Sequence, residues 1–314
     1  MLDACNFIFL RNDYAMIMTL HRIAPESRTG MRVNEHMNMS PERLMCFIAE
    51  ARRRGWAFIS IDEMWAGLVA NREMRKCIVL TSDDGYKDNY VYALDVLESE
   101  NVPLCIYVAT AFPDEQSKLW WYALEDAINT GDVPGDQACE ALFMACRTEL
   151  MFGHAHDYDL FFRRTFPDFD LDWSSYRQEY CLSWQEIREL SRHPLVTIGA
   201  HSVNHPVHSK LDIEELVREI DGSRKIIADQ IQQQPEHYCY PFGGLAEANV
   251  REYRLVLELG FKTGVTTVPG FVTCAYRNRL ASLPRVMLSP ATAAADYFSF
   301  LGTLRHRIRT KFMN

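Results

Sequence analysis

Two neighbouring carboxylates stand at the end of a short apolar run. Asp83 and Asp84 follow residues 77–81, a segment that predicts a buried strand. Two acids side by side at a strand end repel each other and lose hydration, so such a pair usually persists because a cation or a shared proton compensates it. The pair therefore indicates a site, although Asp83 could instead cap a following helix.

A second apolar run is followed by groups that could complete such a site. Residues 195–198 predict another strand, and His201 and His205 come after it, four residues apart. One carboxylate and two imidazoles are a common ligand set for a divalent metal, and they leave positions open for water and substrate. The other carboxylate is then free to act as a base. The structural alternative is that His201 ends a strand and His205 fixes a turn before Pro206.

A third segment predicts a turn after a strand. Its residues are Tyr240-Pro241-Phe242-Gly243-Gly244. Exposed backbone N–H groups in such a turn can stabilise an oxyanion. Taken alone, this segment is a turn more often than a site.

Together the three motifs resemble the polysaccharide deacetylase family, the carbohydrate esterases with NodB homology. The resemblance covers most of the chain, from about residue 21 to residue 285. The paired acids and the His-Ser-x-x-His element are specific in combination. The resemblance implies an α/β fold, an irregular (β/α) barrel of about seven strands, with a divalent metal cofactor. It also implies a hydrolase that removes an N-acetyl group from an amino sugar in a glycan or glycan precursor.

The resemblance assigns the metal ligands and the base. Asp84 joins His201 and His205 in the metal site, because the second acid of the pair binds the metal in the family. Asp83 is then the general base, which takes a proton from a water whose pKa the metal lowers. Zinc suits two imidazoles and a carboxylate, and Co, Ni, Fe or Mn would also fit this ligand set.

The chain departs from the family around the third motif. Phe242 matches the residue whose N–H group stabilises the oxyanion, and Tyr240 belongs to the same predicted substrate-binding turn. Ser82 stands where the family usually has Phe. Cys239 stands where the family often has an arginine that pairs with the catalytic acid. Arg285 is the candidate replacement, and the alternative for Arg285 is a surface ion pair.

The family's Leu-x-His motif, which carries the acid that protonates the leaving amine, has no convincing match. Leu304-Arg305-His306 has the right letters but lies in a basic terminal segment. His21 closes the first predicted strand and could reach the site. A structural histidine that is satisfied by its surroundings is an equal alternative for His21.

The elements that must position these residues alternate between strands and helices. Such alternation, with connections of this length, predicts a parallel sheet. In βα barrels the reactive groups gather at the carboxyl ends of the strands, and the candidate residues all follow predicted strands. The predicted strands are residues 15–20, 56–60, 77–81, 103–109, 195–198, 237–240, 262–266 and 285–288.

Residues 112–182 interrupt the alternation. We interpret them as a mostly helical insertion within a single barrel domain that spans residues 1–314. The insertion contains Trp120, Trp121 and Tyr122, whose flat rings could stack on a sugar. Aromatic residues at helical spacing are more often part of a core, which is the favoured interpretation here.

Composition limits the function classes. Hydrophobic residues make up 48% of the 314 residues, and the longest uncharged apolar runs fall short of the roughly 20 residues that a membrane span requires. The net charge of −9 argues against nucleic acid as a partner. The nine cysteines form no Cys-x-x-Cys pair, and the first nine residues lack a secretory pattern. A cytoplasmic location with reduced thiols is therefore expected.

One partner is expected from these observations, and a second is compatible with them. The first is an N-acetylated sugar or saccharide, which in a cytoplasmic setting would more plausibly be a precursor or a lipid-linked saccharide. The second is an anionic membrane surface, because Arg305, Arg307, Arg309 and Lys311 alternate with apolar residues. A frayed, solvated helix is the favoured interpretation of that terminal segment.

Other functions are compatible with the same motifs. A deformylase, or another hydrolase of carbon–nitrogen bonds, would use the same site on a different amide. An inactive barrel that binds glycans is favoured slightly by the missing acid histidine and by Cys239. The complete metal set counts against inactivity.

Overall fold

The computed structural model describes residues 14–25, 33–131, 135–152 and 157–298. Within them lie eight strands, which are β1 (Met16–Leu20), β2 (Ala57–Phe58), β3 (Cys77–Ser82), β4 (Leu104–Val108), β5 (Val196–Ala200), β6 (His237–Cys239), β7 (Thr263–Pro269) and β8 (Leu283–Met287). The helices are α1 (Pro41–Arg53), α2 (Ile61–Val69), α3 (Leu94–Glu100), α4 (Trp120–Thr130), α5 (Asp136–Phe152), α6 (Tyr158–Thr165), α7 (Trp173–Tyr180), α8 (Trp184–Ser191), α9 (Ile213–Ile231) and α10 (Val250–Glu258).

The strands close into a parallel barrel. Their order is β1-β8-β7-β6-β5-β4-β3, and β1 also pairs with β3, so in the described residues seven strands form a ring while β2 adds to the outside of β3. This confirms the predicted irregular (β/α) barrel. The strand β2 has only two residues, where five were predicted, because only Ala57 and Phe58 pair with β3.

Local sequence signals explain where several helices begin. The Ser60 hydroxyl accepts a hydrogen bond from the Glu63 N–H, and the Glu63 carboxylate accepts one from the Ser60 N–H. Ser183 forms the same reciprocal cap with Glu186 at the start of α8. Each cap satisfies backbone donors that the first turn of a helix leaves without partners. These caps set the residues at which two of the helices that cover the barrel begin.

The helices α4–α7 lie between β4 and β5 and contain the buried aromatic residues of the insertion. Trp120, Trp121 and Tyr122 are 4%, 9% and 1% exposed and belong to a hydrophobic core distinct from that of the barrel strands. The core interpretation of these rings is therefore the one that the structure supports. The separate core also supports treating residues 112–182 as an insertion within one barrel domain, which stays a proposal.

The described helices include none that is both long enough and apolar enough to cross a membrane. The described residues do not include segment 304–311, which contains the Leu-Arg-His sequence and the alternating basic residues. They also do not include residues 1–13.

Candidate active site

The loops after three adjacent strands are tied together by backbone hydrogen bonds. The N–H of Ala109 donates to the Asp84 carbonyl at 3.2 Å, and the N–H of His201 donates to the Val108 carbonyl at 2.9 Å. Thr110 donates to the Ser202 carbonyl at 3.2 Å. These bonds join the loops that follow β3, β4 and β5, so residues far apart in sequence meet at one rim of the barrel.

Asp84, His201 and His205 meet at this rim. Oδ1 of Asp84 lies 3.1 Å from Nε2 of His201 and 3.2 Å from Nε2 of His205. Asp84 is 4% exposed, and its Oδ1 makes no hydrogen bond of acceptable geometry to any described group. One ligand atom from each of the three residues thus lies within 4.8 Å of the other two. This donor set fits a divalent cation.

The charge on Asp84 also suits the binding of a cation. Burial opposes ionisation of the carboxyl, but the neighbouring His205 and His201 outweigh burial and hold the pKa of Asp84 well below its usual value. Asp84 is therefore an anion at neutral pH.

A second group of potential ligands fits a metal less well. Asp83, His201 and Cys239 also place ligand atoms within 4.8 Å of one another. However, the guanidinium of Arg285 already lies between Asp83 and Cys239, with Nη2 2.7 Å from Oδ2 and 3.2 Å from Sγ. Burial also raises the pKa of the Cys239 thiol, so the thiolate that a metal needs is disfavoured.

The two histidines are oriented by different means. Nδ1 of His201 lies 2.8 Å from the carbonyl oxygen of Cys239, which fixes that nitrogen as a donor and directs Nε2 toward Asp84. His205 lacks such a bond, because its buried Nδ1 has no described hydrogen-bond partner. Its ring packs between Trp121, at 5.6 Å, and Phe242, at 4.7 Å. Aromatic packing therefore holds His205.

Trp121 is itself held in place. Its Nε1 donates to the hydroxyl of Tyr86 at 2.9 Å, and Tyr86 lies two residues after Asp84. Through Trp121, the helix α4 of the insertion thereby contacts both His205 and the segment that follows Asp84. The motifs did not identify this role, since they assigned Trp121 only to the core or to sugar stacking.

Replacing Trp121 with Ala is expected to weaken metal binding by about tenfold, a loss typical of groups that orient a ligand. The reason is that His205 would lose one of the two rings that hold it. The measurement is zinc affinity by competition with a chromophoric chelator, supported by the visible spectrum of the cobalt-loaded protein. Trp120→Ala is the control, because Trp120 is also buried on α4 but its ring contacts Trp121 and Tyr158, with no ring contact to His205 among the described residues. Equal affinity in the Trp121 variant and the wild type would contradict the role.

Backbone strain is concentrated at the same rim. Asp84, Ser202, His205 and Phe242 have φ angles of +73°, +66°, +58° and +59°. Residues other than glycine rarely adopt this region, and such strain persists only where the surroundings enforce it. Tight turns enforce it here. The N–H of Gly85 donates to the Asp83 carbonyl at 3.0 Å, and the N–H of Gly243 to the Pro241 carbonyl at 2.7 Å.

The loop that carries both histidines is clamped by Glu219 of α9. Its Oε2 accepts hydrogen bonds from the N–H groups of Val203 and Asn204, at 2.9 and 2.8 Å. Its Oε1 accepts a third from Nδ2 of Asn204 at 2.7 Å. Nothing in the sequence indicated this role, because Glu219 is one of several acids on an amphipathic helix.

Asp83 and Arg285 form a buried ion pair. Nη1 and Nη2 of Arg285 donate to the two carboxylate oxygens of Asp83, each at 2.7 Å. Both residues are nearly inaccessible, at 1% exposed for Arg285 and 2% for Asp83. The surface ion pair considered for Arg285 is therefore excluded. The structure places Arg285 against Asp83 as the replacement hypothesis requires.

The pair controls the protonation state of Asp83. Burial alone would raise the pKa of this carboxyl, but the charge and the hydrogen bonds of Arg285 outweigh burial and hold the pKa below its ordinary value. Arg285 is anchored in turn by Thr266 and Thr81, since its Nε donates to the Thr266 carbonyl at 2.9 Å and its Nη1 lies 3.1 Å from Oγ1 of Thr81.

Phe242 and Tyr240 take different positions. Phe242 is half-buried beside His205, and its backbone N–H donates to none of the described groups. Tyr240 is fully buried, and its hydroxyl donates to the Ala281 carbonyl at 2.8 Å. The predicted role of Tyr240 in substrate binding needs correction for its side chain, which packs in the barrel core. Its backbone N–H is also engaged, by the Val265 carbonyl.

His21 is held near the site through its backbone. Its carbonyl accepts hydrogen bonds from Oγ of Ser82 at 2.9 Å and from Nδ2 of Asn89 at 3.0 Å. Burial lowers the pKa of the ring, while the charges of Asp84 and Asp83 oppose that shift. Ser82, which replaces the usual Phe of the family, thus links the end of β3 to the end of β1.

The chain belongs to the polysaccharide deacetylase family, whose sequence model, described as polysaccharide deacetylase, matches residues 70–263. It is 22% identical over 231 residues to the putative polysaccharide deacetylase YxkH of Bacillus subtilis (strain 168). That match covers 73% of this chain but only 58% of the relative.

Two solved structures share the fold. The Streptococcus pyogenes deacetylase PplD, in complex with acetate, aligns with a TM-score of 0.60 at 19% identity over 90% of this chain and 95% of its own. IcaB from Ammonifex degensii aligns with a TM-score of 0.59 at 14% identity over 95% of this chain and 98% of its own. At these identities the likeness establishes the fold alone.

Proposed function

We propose that this protein is a metal-dependent hydrolase that removes an N-acetyl group from an amino sugar in a glycan or glycan precursor. One observation carries the proposal. A buried cluster of Asp84, His201 and His205 with the composition of a metal site lies directly beside an Asp83–Arg285 pair. Family membership supports carbohydrate deacetylation as the reaction class.

The side chains suggest how the reaction proceeds. When bound by Asp84, His201 and His205, a divalent cation would supply Lewis acidity toward water and the amide carbonyl. Asp83, kept ionised by Arg285, accepts the proton that the attacking water loses. The free N–H of Phe242 can donate to the oxygen of the carbonyl as its negative charge grows.

The proton must finally reach the leaving nitrogen. We assign this transfer to His21, whose ring is neutral before the reaction because burial lowers its pKa. The ring would take up the proton that Asp83 received and pass it to the amine as the carbon–nitrogen bond breaks. His21→Gln should then lower kcat by about 100-fold with KM nearly unchanged, as loss of one acid–base group typically does. An unchanged kcat in this variant would show that His21 has only a structural role.

Zinc is the proposed metal, on the chemistry of two imidazoles and one carboxylate. The cytoplasmic location also stays a proposal, and the free thiols of the eight described cysteines are compatible with it. Peripheral membrane contact through Arg305–Lys311 stays a prediction, because that segment lies outside the described residues. The comparisons give no support to a lipid-linked substrate.

The departure at Cys239 does not favour an inactive barrel. The guanidinium that the family places there is supplied by Arg285 from β8, and it contacts the Cys239 sulfur at 3.2 Å. The base therefore keeps its cationic partner.

The test of the proposal is acyl release from a panel of N-acylated amino sugars, nucleotide-linked sugars and oligosaccharides. Acetate and formate are both measured, with zinc- or cobalt-loaded protein. Acetate released by the wild type and not by Asp83→Asn is the expected result. If only formate is released, the reaction is deformylation and not deacetylation. If the metal-loaded protein releases neither acetate nor formate from any substrate in the panel, the proposal is contradicted.

A further inference from the structure

The backbone of His205 is strained, and the residue after it adds to the strain. His205 has a φ angle of +58°. It precedes Pro206, whose ring favours an extended conformation, with a φ of about −120°, in the residue before it. A residue other than glycine keeps a positive φ only where its surroundings enforce it. Because Nε2 of His205 lies 3.2 Å from Oδ1 of Asp84, the contacts that enforce this turn also place a proposed metal ligand.

The two sides of this turn are held by different groups. Before His205, the Glu219 carboxylate holds the loop backbone, and the hydroxyl of Ser202 accepts a hydrogen bond from the His205 N–H at 3.0 Å. After His205 the backbone offers less, because proline has no N–H group. The carbonyl of Pro206 is therefore the backbone group of that residue through which a hydrogen bond can hold this side of the turn.

The side chain of His208 bridges this carbonyl to strand β6. Its Nδ1 lies 3.1 Å from the Pro206 carbonyl oxygen, and its Nε2 lies 2.7 Å from the hydroxyl oxygen of Tyr238. Both rings are fully buried. A carbonyl can only accept, so Nδ1 carries a hydrogen, and Nε2 of the neutral ring accepts from the Tyr238 hydroxyl. Burial favours both states, because it lowers the pKa of His208 to about 3 and raises the pKa of Tyr238 well above its usual value.

Strand β6 is thereby connected to both histidines of the proposed metal site. Tyr238 is the central residue of this strand, and its backbone pairs with the neighbouring strands on both sides. The carbonyl of the next residue, Cys239, accepts the hydrogen bond from Nδ1 of His201. Adjacent residues of one strand therefore contact His201 directly and, through His208, the residue after His205.

We propose that His208 is a positioning residue for the metal site. Its bridge from β6 to the carbonyl of Pro206 holds the turn on the side where Glu219 does not act. In that conformation the turn directs Nε2 of His205 toward Asp84. The inference rests on the proposed function and deepens it, because it assigns the geometry of the metal site to a residue that is not itself a ligand.

The test is zinc affinity in the absence of substrate, measured by competition with a chromophoric chelator. His208→Leu and Tyr238→Phe each break the bridge, so each should lower zinc affinity by about tenfold, a loss typical of groups that orient a ligand. The double variant should lose no more than either single variant, because both changes remove the same interaction. The visible spectrum of the cobalt-loaded variants should also change, since His205 would move among the ligands.

His237→Leu is the matched control. His237 is also a buried histidine, and both of its ring nitrogens have side-chain partners, which are Thr263 and Asp62. It lies at the start of β6, however, and has no contact with the turn. This variant should lower the free energy of unfolding of the metal-free protein about as much as His208→Leu does. Its zinc affinity should equal that of the wild type.

Zinc affinity that stays at the wild-type value in both His208→Leu and Tyr238→Phe would overturn the positioning role. So would an equal loss of affinity in His237→Leu, because the effect would then follow stability and not the bridge. These measurements need no substrate, so they decide the role of His208 even if no acyl release is observed and the proposed function fails. A wild type that binds no zinc would overturn both.

Discussion

Asp83→Asn is expected to lower the rate of acyl release by roughly 10²- to 10⁴-fold, the usual contribution of a positioned acid or base. Asparagine keeps the shape of the carboxylate but cannot accept the proton from water. Zinc content should stay close to that of the wild type, because Asp83 bonds to Arg285 and not to the Asp84–His201–His205 cluster. The measurements are acetate release and metal content on the same preparation.

The adjacent acid provides the matched control for this prediction. Asp84→Asn is the same change one residue along the chain, and it should lose metal as well as activity because Asp84 belongs to the cluster. The pair of variants thus separates the base from the ligand. Activity that survives in Asp83→Asn, or metal lost from Asp83→Asn but retained in Asp84→Asn, would show that the two roles are wrongly assigned.

Arg285→Met is expected to destabilise the protein by about 3–5 kcal/mol at neutral pH, because removing one partner leaves the Asp83 carboxylate buried without compensation. The methionine side chain fills part of the vacated volume, so the lost charge dominates. The free energy of unfolding from denaturant titration measures the effect. Arg285→Lys is the control, because it keeps the positive charge but loses the bidentate geometry, and it should cost less.

The loss in Arg285→Met should depend on pH with a definite sign. In the wild type the folded pKa of Asp83 lies below its ordinary value of 3.8, so the pair stabilises the fold above about pH 4, and that stability is lost as pH falls through the folded pKa. Without Arg285, burial raises the pKa of Asp83. The destabilisation of the variant therefore decreases as the carboxyl takes up a proton. The stability difference should therefore shrink on acidification. A difference independent of pH between 7 and 4 would contradict the ion-pair account.

The sequence predicted the parts of the fold that depend on local patterns. Apolar runs predict the barrel strands, and the spacing Ser60-x-x-Glu63, which has the form of a capping box, predicts a helix start that the structure contains. The acids after β3 and the histidines after β5 also meet, because the carboxyl ends of parallel strands converge on one rim. Neighbouring residues and the topology suffice for these predictions.

The parts that sequence alone did not give depend on contacts between distant elements. The pairing of Arg285 with Asp83 joins residues 202 positions apart, and it could be offered only as one of two alternatives. The packing of Trp121 on His205 joins the insertion to the barrel. The Tyr-Pro-Phe-Gly motif also does not show that the Tyr240 side chain is buried, with its hydroxyl donating to the Ala281 carbonyl 41 positions away.

The short helical segment after the acid pair shows the same limit. The sequence from about residue 89 to residue 100 predicts one continuous helix, but residues Asn89–Ala93 form a wider π-helical turn before α3 begins. Asn89 lies fully buried there and donates to the carbonyls of His21 and Tyr86, at 3.0 and 3.1 Å. Such wide turns often occur at functional sites, and here the turn supports the residue proposed as the acid.

Metal dependence can be measured by a zinc titration of the chelator-treated protein, with acetate release from an N-acetylated oligosaccharide measured at each step. We expect almost no release without metal, a rise to a plateau at one equivalent of zinc, and little recovery in His201→Ala at the same zinc concentrations. Full activity in the metal-free protein, or an unchanged titration curve in His201→Ala, would contradict a metal-dependent hydrolase built on Asp84, His201 and His205.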